Sequence, residues 1–222
     1  NTVKSSVICS GIGLHSGKQI SIKIMPAPAD LGIVFKRTDV KEAEAIVPAN
    51  FRNVVKTMLG TTIANKSGVE VATIEHLMAG LWGAGVDNAI IEIDGIEIPI
   101  MDGSAGPFVF LLQSAGIAEQ SAAKKFIRIK QPVEVRVDDK RAAFLPHEGF
   151  SVQFTIDFDH PAFDAAHQSA EVDFSSTSFV EEVSHARTFG FLRDIEYLRA
   201  NNLALGGSLD NAIVVDDHGV VN

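Results

Sequence analysis

The sequence predicts an α+β fold of two similar domains, each a β-sheet packed against helices. In the first half, runs of alternating apolar and polar residues, typical of half-buried strands, precede an amphipathic helix pattern. The same order of strands and then helices begins again at residue 126. A polar, alanine-rich stretch, residues 119–125, separates the two series. We therefore predict a first domain over residues 1–120 and a second, incomplete domain over residues 126–222.

The first predicted strands flank a glycine-rich turn. Val7 to Ile12 and Gln19 to Met25 are rich in β-branched residues, and residues 11–17 join them. In the second run, isoleucine occupies every second position from 20 to 24, which is the period of a strand with one buried face. Residues 32–37 supply a third strand.

Two helices are predicted in the first half. Thr73 to Trp82 carries four apolar residues at i, i+3, i+4 and i+7, which form one stripe: Ile74, Leu77, Met78 and Leu81. A second helix can start at residues 102–104 and accommodates Pro107 in its first turn. It should end near Ala115, because Gly116 is a good C-cap residue.

Further strands are predicted on both sides of the boundary. Asp94-Gly95 is a strong hairpin signal, which predicts that residues 88–93 pair with residues 96–100. The predicted elements of the second half are strands at Phe126 to Ile129, Val133 to Val137, Ala142 to Leu145 and Ser151 to Phe158, helices near Ser178 to Val183 and Asp194 to Asn201, and a last strand at Ala212 to Val215.

The composition excludes several classes of protein. Apolar residues make up 46% and charged residues 21% of the 222 residues, as in ordinary globular proteins. A net charge of −9 argues against a nucleic-acid partner, because phosphate binding needs clustered Lys and Arg. The single cysteine, Cys9, favours a reducing compartment. No transmembrane run and no signal peptide is visible, so we expect a cytoplasmic protein.

Glu75 and His76 form the most informative pair of residues. Both lie in the first turn of the helix predicted from Thr73, opposite its apolar stripe. An imidazole nitrogen can bind a metal while a neighbouring carboxylate acts as base on an attacking water. The second histidine of an HExxH helix is absent, however. Spacing alone favours a simpler interpretation, an exposed helix start in which Glu75 interacts with the helix dipole.

Three other motifs carry weaker chemical signals. Residues 11–17 hold His15 among glycines that permit a hairpin or an anion site, and spacing favours the hairpin. Residues 103–107 could cradle a phosphate at a helix N-terminus, although a plain helix start fits them better. Residues 185–191 mix His, Arg, Thr and two Phe, which suits a pocket wall. We expect the remaining histidines on the solvated surface: His147, His160, His167 and His218.

Four segments of the chain occur in the order and spacing of one known family. They are Gly11–Gly17, Thr73–Leu77, Glu97–Phe108 and Ala186–Phe191, the last followed by Leu205–Ser208. Together they resemble the UDP-3-O-acyl-N-acetylglucosamine deacetylases over essentially all 222 residues. The resemblance implies a zinc-dependent (Zn2+) amidase of lipid A biosynthesis that acts on a UDP-linked acylated glucosamine. It also implies a monomer with the active site between two domains.

The resemblance assigns roles to individual residues. Glu75 matches the catalytic base, His76 a zinc ligand and Thr188 a hydroxyl that assists the oxyanion. Residues 195–215 match an insert that forms the passage for the acyl chain. The positions that it implies for substrate binding are His15, Met58, Phe189, Ile195, Leu198, Ala204, Gly207 and Ser208.

The resemblance also predicts that the metal site is incomplete in this chain. In the family, two further zinc ligands, a His and an Asp on one helix, and the general-acid histidine lie beyond the position of Asn222. We therefore expect a C-terminally truncated chain that is inactive by itself. Two alternatives are a small-molecule kinase of related fold, which would bind phosphate at residues 103–107, and a metal-free binding protein.

Overall fold

Alternating strands and two apolar helices build the first half. The computed structural model describes residues 1–163, 168–174 and 179–222. The first-half elements are β1 (Thr2–Val3), β2 (Val7–Ile12), β3 (Gln19–Pro26), β4 (Ile33–Arg37), β5 (Ile46–Pro48), β6 (Val54–Lys56), β7 (Thr62–Ala64), β8 (Glu70–Val71), α1 (Glu75–Gly83), β9 (Ala89–Ile93), α2 (Gly106–Ala115) and β10 (Ile117–Ala118). The α+β class is confirmed, as are the first three predicted strands.

The main sheet has five strands in the order β2-β3-β9-β4-β5. At its centre β9 runs antiparallel to β3 and parallel to β4, and the register places Ile22 opposite Ile93 and Ile24 opposite Ile91. All four isoleucines are buried. The alternation in the sequence therefore produces one apolar face on the sheet.

Helices α1 and α2 share a core with that apolar face. Leu77 and Leu81 of α1 and Phe108 and Leu112 of α2 belong to the same buried cluster as the sheet isoleucines. Burial of a side chain of this size stabilises the fold by about 1.5–3 kcal/mol. The two helices approach closely at Gly80, where a Cβ would lie 3.0 Å from the Cβ of Phe108. The predicted apolar stripe of α1 is thus its core face.

The predicted hairpin at Asp94-Gly95 is wrong. Both edges of β9 are already paired, with β3 and β4, so β9 has no free edge for a hairpin partner. Residues 96–100 run instead beside β8, where Glu97 bridges Ala72. The turn itself is held against β3, because the Asp94 carboxylate accepts a hydrogen bond from the backbone N–H of Ser21 at 2.8 Å.

A small antiparallel sheet, β6-β7-β8, leads into α1. Arg37, at the end of β4, joins this sheet to the main one. Its guanidinium donates to both carboxylate oxygens of Asp39, each at 2.7 Å, and to the backbone carbonyl of Glu70 at 2.6 Å. The chain between β6 and β7, which carries Met58, reaches the start of α1 at Thr61, whose backbone N–H donates to the Glu75 carboxylate.

The second half consists of hairpins and one small mixed sheet. Its elements are β11 (Val133–Val137), β12 (Lys140–Phe144), β13 (Ser151–Thr155), β14 (Ser169–Asp173), a π-helical turn (Phe179–Val183), β15 (Phe189–Phe191), α3 (Leu192–Ala200), β16 (Ile213–Asp216) and β17 (Gly219–Val220). Strand β11 pairs with β12, and β13 with β14. Strands β15 and β16 are parallel, and α3 lies in the connection between them.

Several predicted bounds need correction. Phe126 to Ile129 form no strand, and the side chains of Phe126 and Ile127 are exposed. Strand β14 was not predicted, because its residues are mostly polar or small. The helix predicted near Ser178 to Val183 is a five-residue π-helical turn that begins at Phe179. Ser178 itself lies outside the described residues.

The start of α2 also differs from the prediction, for a local reason. Asp102 accepts hydrogen bonds from the backbone N–H and the hydroxyl of Ser104, at 2.9 and 2.7 Å. These bonds stabilise a turn over residues 102–105, so the helix begins at Gly106 with Pro107 in its first turn. Its predicted end at Gly116 is confirmed, with that glycine at φ 71°.

The division into two domains stays a prediction. Strand β10 closes the first half by pairing with β1, and the polar stretch that follows is tied back by ion pairs of Lys124 with Asp87 and Lys125 with Asp30. Strand β11 pairs with β12 and does not extend the main sheet. In the parts of the chain that the structure describes, no helix has both the length and the hydropathy of a membrane span.

Candidate active site

Glu75 and His76 open α1, where the sequence predicted them. Thr73, just before the helix, has a left-handed backbone with φ 55°, a conformation that is costly for a β-branched residue. One oxygen of Glu75, Oε2, accepts a hydrogen bond from the backbone N–H of Thr61 at 2.9 Å. Both side chains are half-buried, so the pair lies neither in the core nor on a fully exposed helix end.

The surroundings of His76 favour its neutral form. Burial lowers the pKa of His76 below its ordinary value, and the carboxylates of Glu75 and Asp102 oppose this shift only in part. A neutral imidazole has a lone pair free to bind a metal ion. His76 is therefore suited in protonation state to the role that the sequence predicts.

His15 joins three segments of the chain. Its Nε2 lies 3.0 Å from the backbone carbonyl of Leu59, and its Nδ1 accepts a hydrogen bond from the backbone N–H of Ala204 at 3.3 Å. This pattern assigns the proton to Nε2 and leaves Nδ1 as acceptor. Met58, next to Leu59, has a side chain that is 85% exposed. His15 thus contacts Ala204 and the residue that follows Met58, and the roles of these three residues in substrate binding stay a prediction.

The glycine-rich loop, residues 11–17, packs closely on the second half. The backbone N–H groups of Leu205 and Gly206 donate to the carbonyls of His15 and Leu14, at 3.2 and 3.0 Å. A Cβ on Gly206 would overlap the carbonyl oxygen of Gly13. The predicted hairpin is confirmed, because the loop joins the antiparallel strands β2 and β3. The loop also lies against residues 204–207, and its His15 and Ser16 N–H groups bond the Glu97 carboxylate, which leaves them unavailable to an anion.

Gly207 and Ser208 complete the turn that follows. The N–H of Gly207 donates to the carbonyl of Ala204 at 3.1 Å, and the N–H of Ser208 donates to Oδ1 of Asn211 at 2.9 Å. The amide group of Asn211 in turn donates to the carbonyl of Gly206. These bonds fix the turn beside the His15 loop. Because the backbone N–H groups of Gly207 and Ser208 bond within the turn, they are already satisfied.

Thr188 contacts the turn that precedes α2. Its backbone N–H donates to the carbonyl of Gly103 at 2.8 Å, while the neighbouring Arg187 donates from Nε to the carbonyl of Asp102 at 2.7 Å. The Asp102 carboxylate also raises the pKa of His76 through its charge, so the turn that Thr188 contacts is electrostatically coupled to His76. Among the described residues the Thr188 hydroxyl has no hydrogen-bond partner, whereas its backbone N–H is bonded.

The turn before α2 uses its own polar groups. The hydroxyl of Ser104 donates to Asp102 and accepts the N–H of Gly106 at 3.1 Å, and Ser104 is fully buried. Backbone N–H groups that would cradle a phosphate are thus already bonded. The arrangement favours the plain helix start over the phosphate site of a kinase.

Phe189 lies in an aromatic cluster, whereas Ile195 and Leu198 lie on α3. The Phe189 ring is 5.2 Å from that of Phe163 and 5.9 Å from that of Phe191. Ile195 and Leu198 are half-buried on a helix whose other residues are exposed. The described contacts place α3 against β15 and β16. Ile195 and Leu198 therefore lie on a helix that contacts β15, the strand that begins with Phe189.

One expectation about the histidines is wrong. His160 is buried rather than solvated, because its ring packs on Phe163 and Phe191 and its Nδ1 accepts the N–H of Ala162 at 3.1 Å. His147 and His218 are exposed, as expected. His167 lies outside the described residues.

A metal would find one suitable ligand here. Over residues 1–163, 168–174 and 179–222, no three His, Cys, Asp or Glu side chains are grouped as a metal site. His76 fits the chemistry of one zinc ligand, because its imidazole is held toward the neutral form next to a carboxylate. Catalytic zinc usually takes three protein ligands, so His76 by itself would not make such a site.

Glu97 is a residue of this site that the sequence reasoning missed. Its carboxylate lies under the glycine-rich loop and beside Thr73, so it contacts both segments that carry the assigned residues. The sequence signals were a carboxylate inside the apolar run of residues 96–100 and its position at the start of the segment Glu97–Phe108. Neither signal assigned a role to Glu97.

Comparison with known proteins gives one consistent answer. The family model described as LpxC: UDP-3-O-acyl N-acetylglycosamine deacetylase matches residues 1–222. A protein of Marinobacter nauticus is 60% identical over 221 residues, which are 100% of this chain and 72% of that protein; proteins of Chromohalobacter salexigens and Pseudomonas entomophila are 59% and 58% identical with the same coverage. All three are named UDP-3-O-acyl-N-acetylglucosamine deacetylase. The predicted resemblance is confirmed, and the chain belongs to the LpxC family.

Proposed function

We propose that this protein removes the N-acetyl group from UDP-3-O-acyl-N-acetylglucosamine, giving the free amine and acetate, in lipid A biosynthesis. The family match over the whole chain supports the substrate and the reaction. The observation that supports the residue roles is the position of Glu75 beside His76, whose pKa is lowered by burial. No comparable geometry supports the kinase alternative, since the turn before α2 binds its own polar groups.

Glu75 is proposed as the general base. Its Oε2 is anchored by the N–H of Thr61, so the carboxylate has a fixed orientation and its Oε1 is the oxygen that takes the proton of the attacking water. Gly60 keeps space beside that oxygen, since a Cβ there would lie 3.3 Å from it. Proton transfer by a positioned base contributes about 10²–10⁴-fold to rate.

His76 is proposed as one ligand of a zinc ion. Bound zinc would polarise the acetyl carbonyl as a Lewis acid. His76 contributes a neutral imidazole without first having to lose a proton at neutral pH. Because one imidazole does not fix a catalytic zinc, the proposal requires two more protein ligands.

Thr188 is proposed to donate a hydrogen bond to the oxyanion that forms on the acetyl carbonyl. Its backbone is anchored by the N–H bond to Gly103, so its hydroxyl is presented from a fixed point at the start of β15. A preorganised donor of this kind lowers a barrier by about 2.7–4 kcal/mol. Thr188 contacts Gly103, the residue next to Asp102, whose carboxylate is close enough to affect the pKa of His76.

The acyl chain is proposed to lie along residues 195–215. Ile195, Leu198, Leu203 and Ala204 are all half-buried, although most of their neighbours in the chain are exposed. Phe189 belongs to β15, the strand that α3 contacts. We further propose that residues 126–222 form a second domain, with the site between the two, in a cytoplasmic monomer.

Release of acetate tests this function directly. The complete protein, incubated with UDP-3-O-acyl-N-acetylglucosamine, should release acetate and a free amine in equal amounts. A metal chelator should stop the release, and added Zn2+ should restore it. Acetate release that persists in demonstrably metal-free protein contradicts the zinc proposal, and no release from the metal-loaded protein contradicts the reaction.

A further inference from the structure

A buried carboxylate links the two segments that carry the assigned residues. The side chain of Glu97 is 2% exposed. Its Oε1 accepts hydrogen bonds from the N–H of His15 at 2.9 Å and the hydroxyl of Thr73 at 3.1 Å, and its Oε2 accepts the N–H of Ser16 at 2.9 Å. Within the described ranges no Lys, Arg or His forms an ion pair with Glu97, so these three donors stabilise its oxygens.

The three donors offset the cost of burying the Glu97 carboxylate. An ionised carboxylate removed from water is costly unless it is well hydrogen-bonded, and an apolar residue here would leave those donors without an acceptor. The backbone of Glu97 already bridges Ala72. A carboxylate at this position therefore has its effect through the groups that it binds, which are two loop amides and one hydroxyl.

On one side, Glu97 determines where the glycine-rich loop lies. The loop comes so close that a Cβ on Gly13 would be 2.6 Å from Oε2 of Glu97. Two successive N–H groups, of His15 and Ser16, point at the carboxylate. The His15 ring bridges Leu59 and Ala204 from this anchored backbone. Displacement of the loop would therefore displace the ring.

On the other side, Glu97 holds Thr73 in its left-handed conformation. Thr73 is buried, and its φ of 55° turns the chain from β8 into α1. The hydroxyl bond to Glu97 compensates part of the cost of that conformation. Glu75 and His76 follow within three residues, so the direction of their side chains depends on this turn.

We propose that Glu97 is a positioning residue that sets the His15 loop against the start of α1. It touches neither substrate nor metal, and it acts through the backbone of His15 and the turn at Thr73. The proposal rests on the proposed function, since it takes Glu75, His76 and His15 as the residues whose placement affects the deacetylation.

The variant Glu97→Gln in the complete protein tests the proposal. It keeps the volume of the side chain, but its NH₂ group must face one of the donors that the carboxylate accepts. We expect kcat to fall by about 10–100-fold in the folded, metal-loaded variant, because small misplacements of reacting groups have effects of that size. The ¹⁵N signals of the His15 ring should also lose the pattern of an Nε2–H proton and an accepting Nδ1.

A matched control separates positioning from stability. Asn88 is also a buried polar residue of this half, and it bonds Gly32 and Gln120, away from the site. Asn88→Ala should lower the thermal midpoint while kcat per folded molecule and the His15 signals stay unchanged. Glu97→Gln with wild-type kcat and His15 signals overturns the proposal, whatever its thermal midpoint.

Two further measurements keep the result unambiguous. If Glu97→Gln does not fold, Thr73→Val removes one of the three bonds: a lower kcat with the fold retained supports the proposal, and an unchanged kcat contradicts it. If the wild-type protein releases no acetate, the proposed function fails, and the His15 signals of Glu97→Gln still decide whether Glu97 positions that ring.

Discussion

The backbone N–H of Ala204 donates a hydrogen bond to the His15 ring, although the two residues are 189 positions apart in the chain. The other ring nitrogen of His15, Nε2, lies 3.0 Å from the backbone carbonyl of Leu59. Residues 195–215, which we propose as the acyl passage, are therefore connected through His15 to the loop of residues 57–61, which bonds Glu75 at the start of α1. Because of these two contacts, we expect a substitution near residue 204 to affect both substrate binding and the position of the His15 ring.

We predict that Ala204→Phe discriminates between substrates by chain length. Residue 204 is half-buried in the segment proposed as acyl passage, so a larger side chain there would obstruct a long chain more than a short one. The KM for a long-acyl substrate should rise about tenfold or more relative to that for a short-acyl one.

The control for this variant is Ala204→Gly. Ala204 has φ 52°, which favours glycine, so this change relieves backbone strain without filling space. It should leave the ratio of the two KM values unchanged. Equal increases for long and short substrates in Ala204→Phe would show that residue 204 does not line an acyl passage.

We predict that Gly206→Ala destabilises the protein. A Cβ there would overlap the carbonyl oxygen of Gly13 and the side chain of Ile12, so the two loops would have to separate. The free energy of unfolding, measured with urea, should decrease by about 1–3 kcal/mol. Gly190→Ala is the control: no atom lies within 4 Å of its new Cβ, and its effect should stay within about 0.5 kcal/mol. Equal effects of both variants would argue against the close packing of these loops.

We predict a pH-dependent contribution of Asp39 to stability. Its hydrogen bonds with Arg37 lower the pKa of Asp39 below the ordinary value of 3.8. A lowered pKa means that the folded state prefers the ionised carboxylate, so this stabilisation is present above pH 3.8 and is lost as pH falls through the lowered pKa. The difference in unfolding free energy between wild type and Asp39→Asn should therefore shrink in acid. A difference that stays constant from neutral pH to pH 2 contradicts the role of ionisation.

The sequence predicted the first half better than the second, for a physical reason. Helix α1 and strand β3 bury one face each, and burial of one face produces the periodic patterns from which they were predicted. In β11 the residues Val133, Val135 and Val137 alternate just as clearly, yet all are exposed. Alternation thus identified the strand but gave no information about what it packs on.

The errors have local causes. The Asp94-Gly95 signal is real for a turn, but it says nothing about whether β9 has a free edge, and both of its edges are taken by distant strands. Glu97 was missed for the same reason, because its partners at residues 15, 16 and 73 are brought to it only by the fold. Glu75 and His76, by contrast, are adjacent in the chain, so the sequence alone could place them together.

The central claim is that Glu75 transfers a proton while His76 binds the metal. The most direct measurement is the zinc content and the turnover rate of Glu75→Gln in the complete protein, compared with wild type. The amide keeps the size of the side chain and its bond to Thr61, but it cannot accept a proton. The account predicts wild-type zinc content and a kcat lower by about 10²–10⁴-fold. Loss of zinc with an unchanged rate per bound metal would contradict it, because Glu75 would then support the metal and not the proton transfer.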